Sequence, residues 1–294
     1  MTSPVTFVTR QNTVDECMDK QDFASSSSAV DQRAFYRNVL KAMNHSQMRY
    51  LVGGGYALDH YTGIARDSKD LDLVLERANA LAVLQLFSAL GYRTELCFPH
   101  WLGKIFGDNH VVDIIFSSGN GLCKVDNDWF VHSVPGEILG IAVKLCPAEE
   151  LIWTKGFIME RERYDGADIA HLVRAHGTKL DWARLLRRFG PHWQVLLSHL
   201  ILFSFIYPCE RALVPGWVLN DLLQRIQRQI SDYAVCDRVC RGTLLSRSQY
   251  RVDVERWGYE DARHQPIGSM TSEETMKWTE AGEERSDHKK KPAM

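Results

Sequence analysis

The stretch that most constrains the fold of this chain covers residues 50–75, YLVGGGYALDHYTGIARDSKDLDLVL. Its first residues, YLV, are apolar and predict a short strand. The strand ends in three consecutive glycines, Gly53, Gly54 and Gly55, and residues 56–61 then predict a short helix. Glycines at such a junction let the backbone approach a ligand closely, and the start of the helix points N–H groups toward it. This pattern predicts a binding site for an anion such as a phosphate.

The end of the same stretch, DLDLVL, alternates between polar and apolar residues, which is typical of a strand with one buried face. Asp70 and Asp72 therefore share a face and lie about 7 Å apart along the strand. On an exposed strand edge these carboxylates repel each other unless a cation neutralises them. Because Mg²⁺ binds carboxylate oxygens together with substrate phosphates, the pattern predicts a metal site. Asp113, in the apolar run HVVDIIF, supplies the expected third acid.

These residues resemble the DNA polymerase β-type nucleotidyltransferase superfamily, and within it the bacterial minimal and AbiEii-like branch. The pattern of that family reads approximately Val-Gly-Gly-x-Ala, then Arg-x-Thr-x-Asp-hydrophobic-Asp. The likeness continues into a helix with Lys155 and covers roughly residues 31–180. The residues that match the pattern are Val52, Gly54, Gly55, Ala57, Arg66, Ser68, Asp70 and Asp72.

The resemblance implies an α+β nucleotidyltransferase fold, in which a mixed sheet flanked by helices precedes a C-terminal helical domain. It implies that an acceptor hydroxyl attacks the α-phosphate of an NTP, ATP included, and releases pyrophosphate. Asp70, Asp72 and Asp113 are the expected catalytic and metal-binding residues, for two Mg²⁺ ions or for Mn²⁺ in their place. Asp113 has two alternative roles, as a metal ligand or as the base for the acceptor hydroxyl. The expected nucleotide-binding residues are Gly53, Gly54, Gly55, Arg66 and Lys155.

Two other functions stay open at this point. The same fold could serve as a catalytically silent antitoxin or scaffold, with a toxin or antitoxin protein as its partner. The run Gly53-x-Gly55-x-x-Leu58 matches two thirds of a dinucleotide-binding turn, which would indicate an oxidoreductase. That alternative gives no role to the two aspartates. For the nucleotidyltransferase, the acceptor is left open among an RNA end, a protein and a small molecule.

Composition limits which partners and which cellular compartment the sequence fits. The 294 residues are 45% hydrophobic, which is enough for a large core, and the net charge of -2 gives no general attraction to nucleic acid or membranes. Seven cysteines without framework spacing are typical of reduced thiols in the cytoplasm. Cys236-x-x-x-Cys240 lacks a second ligand pair, which argues against zinc. The apolar run at residues 195–207 is shorter than the roughly 20 residues of a membrane span, so it predicts a buried helix in a soluble protein.

The pattern divides the chain into a polar lead-in at 1–30, a nucleotidyltransferase domain at 31–146, a helical domain at 147–245, and a polar extension at 246–294. Aromatic residues in the extension predict that part of it docks on the body, while its end is disordered. A helix is expected from Asp31, and Gly107-Asp108-Asn109 predicts a hairpin that places Asp113 on an antiparallel partner of the site strand's sheet. The other expected elements are a helix at 78–90, strands at 92–97 and 137–143, and helices near 147–160, 166–176, 181–188, 191–206 and 216–231.

Overall fold

The computed structural model describes residues 15–65, 70–231 and 238–290. Within them the chain forms a seven-stranded mixed sheet in the spatial order β3-β4-β5-β2-β1-β7-β6. Helices cover the sheet, and a helical region follows it, so the predicted fold class is confirmed. The strands of the sheet are β1 Leu51–Val52, β2 Asp70–Val74, β3 Arg93–Phe98, β4 Leu102–Phe106, β5 Val111–Ile115, β6 Val134–Ile138 and β7 Ile141–Leu145.

The helices follow the apolar periodicity of the sequence. Those that flank the sheet are α1 Asp15–Ser46, α2 Gly54–Thr62, α3 Arg77–Ala89 and α4 Asn127–Val131. The helical region contains α5 Ala148–Gly156, α6 Gly166–His176, α7 Trp182–Phe189, α8 Trp193–Ile206 and α9 Gly216–Ser231. Beyond it, the chain contains β8 Val239–Cys240, α10 Arg251–Glu255, β9 Glu260–Asp261 and α11 Ser272–Lys290.

Two hydrophobic cores lie on the two faces of the sheet. The first core joins Leu71 and Leu73 of β2 to buried residues of α1 and α3. The second core joins Val74 of β2 to α2 and to the helical region. Because successive residues of a strand point to opposite faces, Asp70 and Asp72 lie on the same face as Val74. This second face is therefore apolar at one end of β2 and acidic at the other.

The position of β2 in the sheet differs from the prediction. β2 is not on an exposed edge, because it lies between β5 and β1. It pairs in parallel with β5 and antiparallel with β1. Asp113 was predicted to lie on an antiparallel partner of the site strand's sheet. Its strand, β5, pairs antiparallel with β4, the other strand of the hairpin, but it pairs in parallel with the site strand β2. The connection through α3, β3 and β4 returns the chain so that β5 runs parallel to β2.

The predicted closing strand at residues 137–143 is wrong, because the segment is part of a hairpin between β6 and β7. The turn consists of Leu139 and Gly140, whose φ angles are 53° and 74°. Two left-handed residues are typical of a two-residue hairpin turn. The apolar run EILGIAV conceals this turn, since Leu139 is not a residue that usually adopts a positive φ.

The starts of two helices also differ from the prediction. α1 begins at Asp15, well before Asp31, and its residues Tyr36, Val39 and Leu40 are fully buried against the sheet. α2 begins at Gly54 rather than at residue 56. The glycines thus form the first turn of the helix as well as the junction with the strand.

One stretch of the described residues, Trp182–Ile206, is long and apolar enough to cross a membrane by length and composition alone. Core helices of soluble proteins pass the same test. In this fold the stretch is divided between α7 and α8, and α8 buries Leu196, Leu200 and Phe203 in the second core. Its opposite face is exposed, with Phe205 82% accessible.

The C-terminal segment contacts the sheet at β3. The ring of Trp278 on α11 lies 5.0 Å from the rings of Phe98 and Trp101. The guanidinium of Arg247 lies over the same indole and pairs with Glu160 at 3.1 Å. These contacts hold part of the segment against the body, while the domain boundaries themselves stay predictions.

Candidate active site

The glycine turn lies directly against Asp72. β1 pairs with β2 so that Val52 is opposite Leu73, and the chain therefore passes beside Asp72 as it leaves β1. The N–H of Gly53 donates to the backbone oxygen of Asp72 at 2.9 Å. Gly54 has a φ of +54°, and a Cβ at this position would lie 1.5 Å from Asp72 Oδ2. Only glycine fits here without displacing the carboxylate. The long connection between the glycines and the acids does not separate them, because the pairing of β1 with β2 brings the two ends of the connection together.

The first turn of α2 begins at this contact. N–H groups in the first turn of a helix have no partner within the helix, and the helix dipole makes this end positive. Gly53 is the N-cap residue and provides no side chain that could occupy those groups. The turn therefore offers backbone donors to an anion beside the carboxylate of Asp72.

The three predicted acids share the second face of the sheet. The parallel register of β2 and β5 places Asp72 opposite Asp113 and Asp70 opposite Val111. Neighbouring strands are about 4.8 Å apart, so Asp72 and Asp113 are close neighbours. Asp70 is exposed, whereas Asp72 and Asp113 are partly buried. The structure therefore brings together residues that are distant in the sequence.

The electrostatics of this cluster favour a positive ligand. The pKa of Asp72 is raised to about 7, mainly by burial and then by the negative charges of Asp113 and Asp70. The positive charges of Lys155 and Arg163 act in the opposite direction. A carboxyl group with a raised pKa beside two other acids is typical of a functional site, because the cluster gains stability when a cation neutralises it.

Lys104 on β4 binds the third acid. Its Nζ lies 2.6 Å from Asp113 Oδ1, and the two residues are directly opposite in the antiparallel pair of β4 and β5. Lys104 was not among the predicted site residues. The contact between Lys104 and Asp113 could have been predicted from the hairpin, because a register that pairs Phe106 with Val111 across the turn also pairs Lys104 with Asp113.

Lys155 lies in a separate group of ion pairs at the start of the helical region. Its Nζ donates to Asp165 Oδ2 at 2.9 Å and to Asp168 Oδ2 at 2.7 Å. Arg163 also donates to Asp165 through Nε and Nη2, and its side chain is 64% exposed. The positive charges of Lys155 and Arg163 both lower the pKa of Asp72, so these two cations lie near the acids. These contacts agree with a charge-balancing role for Lys155, and its contact with nucleotide stays a prediction.

Comparisons with known proteins show what the segment around this site is similar to. Residues 36–100 match the family model for aminoglycoside-2''-adenylyltransferase. The matched segment contains the glycine turn, Asp70 and Asp72. By this match, the chain contains a nucleotidyltransferase domain. The prediction of the DNA polymerase β-type superfamily is thereby confirmed, while the minimal or AbiEii-like branch stays a prediction.

Similarity to solved structures is limited. The solution structure of the antibiotic-resistance factor ANT(2'')-Ia is 17% identical, covers 58% of this chain and 97% of its own, and has a TM-score of 0.42. The lincomycin-bound lincosamide antibiotic adenylyltransferase LnuA is 20% identical, with coverages of 48% and 94% and a TM-score of 0.35. JHP933 from Helicobacter pylori is 14% identical, with coverages of 69% and 95% and a TM-score of 0.32. None of the curated proteins matches this sequence significantly.

The acids of this nucleotidyltransferase fit a divalent cation whose coordination is completed by substrate. Within the described ranges, no three His, Cys, Asp or Glu side chains are grouped closely enough to hold an ion by themselves. Mg²⁺ is commonly bound by one or two carboxylates together with substrate phosphates and water. Asp70 and Asp72 suit this arrangement, because the raised pKa of Asp72 marks where a cation is favoured. Asp113 as a further metal ligand stays a prediction.

The dinucleotide-binding alternative is wrong. That motif requires a helix that connects two parallel strands of one sheet. In this nucleotidyltransferase the strands on either side of the glycine turn and α2 are β1 and β2, which pair antiparallel. The glycine run thus matches the spacing of the dinucleotide motif without its fold.

Three residues named in the sequence analysis lie outside the described residues. They are Arg66, the predicted nucleotide-binding arginine, Ser68 of the family pattern and Cys236 of the cysteine pair. Cys240 is buried as a free thiol. Cytoplasmic localisation and a toxin or antitoxin partner stay predictions.

Proposed function

We propose that this nucleotidyltransferase transfers an NMP from an NTP to a hydroxyl group, with a divalent metal ion and with release of pyrophosphate. The observation that carries the proposal is the contact between the glycine turn and Asp72. This contact places backbone donors for phosphate beside the carboxylates that suit a cation. Phosphate oxygens and a divalent ion are the two partners that nucleotidyl transfer requires at one point.

Each residue of the site then has a chemical role. Gly54 and Gly55, at the start of α2, bind the triphosphate through backbone N–H groups. Asp70 and Asp72 would hold Mg²⁺, as two ions or with Mn²⁺ in their place, and the metal when bound would supply positive charge to the reacting phosphate. Asp113 accepts the proton of the acceptor hydroxyl, whose oxygen forms the new bond to the α-phosphorus as the bond to pyrophosphate breaks. The positive charges of Lys155 and Arg163 near the acids stabilise the negative charge that develops on the reacting phosphate.

We assign the acceptor to the class of small molecules. The support is the family model over residues 36–100, whose name refers to adenylyl transfer to an aminoglycoside. Among the relatives in solved structures, one contains an adenylylated tobramycin and another a bound lincomycin. An antibiotic hydroxyl is therefore the first acceptor to test, and RNA ends and proteins are the other acceptors of the assay.

The test incubates the pure protein with Mg²⁺ and each α-³²P NTP, with separate panels of aminoglycosides, lincosamides, total RNA and total protein. We expect label on a small molecule, and we expect Asp72→Ala to lower the rate at least 100-fold. Asp108→Asn, in the exposed turn between β4 and β5, is the matched control and should remain within twofold of the wild type. If Asp72→Ala retained wild-type turnover with every NTP used, the metal assignment would be wrong. Label on RNA or protein would instead overturn the acceptor class.

A further inference from the structure

Four charged residues form a row across four adjacent strands, which we call the cross-strand charge row. It consists of Glu95 on β3, Lys104 on β4, Asp113 on β5 and Asp72 on β2. The registers pair Glu95 with Lys104, Lys104 with Asp113, and Asp113 with Asp72. All four side chains therefore belong to the same face of the sheet. Lys104 is the only cation of this row and lies between carboxylates on both neighbouring strands.

The pair at the centre of the row is close and partly shielded from water. Lys104 Nζ lies 2.6 Å from Asp113 Oδ1, and the two side chains are 21% and 15% exposed. Charge-assisted bonds of this kind are shorter and about twice as strong as neutral ones. Glu95 at the outer end is 54% exposed, so water screens it more than it screens Asp113. The strongest contact of Lys104 is therefore directed toward the acids of the site.

The opposite neighbour of Asp113 is another carboxylate. Asp72 lies directly opposite Asp113 in the parallel pair of β2 and β5. Two adjacent partly buried carboxylates repel each other, and a side chain with rotational freedom can turn away to reduce that repulsion. The ion pair with Lys104 on the other side of Asp113 fixes one orientation of this carboxylate and compensates part of its negative charge, which weakens the repulsion of Asp72.

We propose that Lys104 is a positioning residue for nucleotidyl transfer, which fixes the orientation of the Asp113 carboxylate and offsets the repulsion between Asp113 and Asp72. The inference rests on the proposed function, in which Asp113 accepts the acceptor's proton. Lys104 acts through Asp113 and does not contact the reacting atoms. Each carboxylate oxygen has two lone pairs, so a carboxylate can accept from a lysine and still receive a proton.

The first test separates catalysis from nucleotide binding. Lys104→Met removes the charge and keeps most of the side-chain stem, whereas Lys104→Arg keeps the charge. We expect Lys104→Met to lower kcat about 10- to 100-fold, as for other residues that orient a ligating or reacting group, with KM for NTP within about twofold. Lys104→Arg should recover most of kcat. Lys144→Met, at an exposed position of β7, is the control and should match the wild type.

The second test does not depend on turnover. Thermal unfolding is measured for the same variants in EDTA and in Mg²⁺. Lys104→Met should unfold at a lower temperature in EDTA, and Mg²⁺ should raise its Tm more than it raises that of the wild type, because the ion replaces the lost positive charge. A Tm lowered equally in both buffers, with kcat unchanged, would show a merely structural lysine and overturn the proposal.

The two tests also separate this proposal from the proposed function. If the wild type transfers no nucleotide but Lys104→Met shows the Mg²⁺-dependent recovery, the reaction assignment fails while charge compensation by Lys104 is supported. If the wild type is active and Lys104→Met keeps its kcat, nucleotidyl transfer stands and the positioning role of Lys104 is refuted.

Discussion

Neutralising Asp72 should stabilise the metal-free protein at alkaline pH. The pKa of this carboxyl group is raised from 3.8 to about 7, first by burial and then by Asp113 and Asp70. Between these two values the folded chain binds more protons at Asp72 than the unfolded chain does. The contribution of Asp72 to stability therefore decreases as the pH rises from about 4 to about 7, and it stays unfavourable above that range.

The size of this effect follows from the shift. About three pKa units at about 1.36 kcal/mol each give roughly 4 kcal/mol at pH 8. Because Asp72 is partly exposed, solvent screening reduces this value, and we expect about 2 kcal/mol. Asp72→Asn should therefore be more stable than the wild type by about 2 kcal/mol at pH 8 in EDTA.

Urea denaturation of both proteins at several pH values in EDTA measures this difference. It should shrink toward zero as the pH falls to 4, because the wild-type carboxyl group becomes neutral in the folded state. Addition of Mg²⁺ at pH 8 should stabilise the wild type more than Asp72→Asn, and the difference in their free energies of unfolding should decrease. Asp108→Asn is the control for loss of one exposed acid. A variant less stable than the wild type at pH 8, or a difference independent of pH, would refute the charge-repulsion argument.

Three further substitutions test the contacts that form the site and its support. Gly54→Ala should weaken Mg²⁺-dependent NTP binding at least tenfold in a thermal-shift titration, because its Cβ would meet Asp72 Oδ2. Gly63→Ala, also at a positive φ but with open space around it, should bind normally. Arg184→Met should lower the free energy of unfolding by about 3 kcal/mol in urea, because buried Glu149 loses its ion pair and Glu150 keeps only its pair with Arg188. Exposed Arg187→Met should change the free energy of unfolding by less than about 0.5 kcal/mol. Trp278→Ala should speed proteolysis of the C-terminal segment severalfold on gels, since the indole packs on Phe98 and Trp101, and an unchanged cleavage rate would show that other contacts hold the segment.

Local patterns predicted the elements that carry the site. Alternation in DLDLV assigned β2 and placed Asp70 and Asp72 on one face, as observed. The residues Gly107-Asp108-Asn109 predicted the hairpin of β4 and β5. These signals are reliable because they depend on the period of a strand and on turn chemistry within a few residues. The hairpin of β6 and β7 was missed because its turn uses Leu139 in a conformation that the residue type does not suggest.

The partners of the charged residues could not be predicted in the same way. Lys155 was expected to contact phosphate or to balance charge, and the fold pairs it with both Asp165 and Asp168. Arg163 joins that group from a loop, and its charge reaches Asp72 from a different part of the chain. Such contacts depend on how α5 and α6 pack beside the sheet, and the periodicity of a short segment does not predict that packing.

The sequence by itself determined the chemistry available to this nucleotidyltransferase. It supplied a glycine turn, two acids on one strand face and a third acid on another strand, because residue type and strand period are local properties. The tertiary structure alone decided how these parts meet. Parallel pairing of β2 with β5 sets Asp113 opposite Asp72, and antiparallel pairing of β1 with β2 brings Gly54 against the same carboxylate. These pairings join distant segments, and they are selected by the burial of two cores on opposite faces of the sheet rather than by any short stretch of sequence.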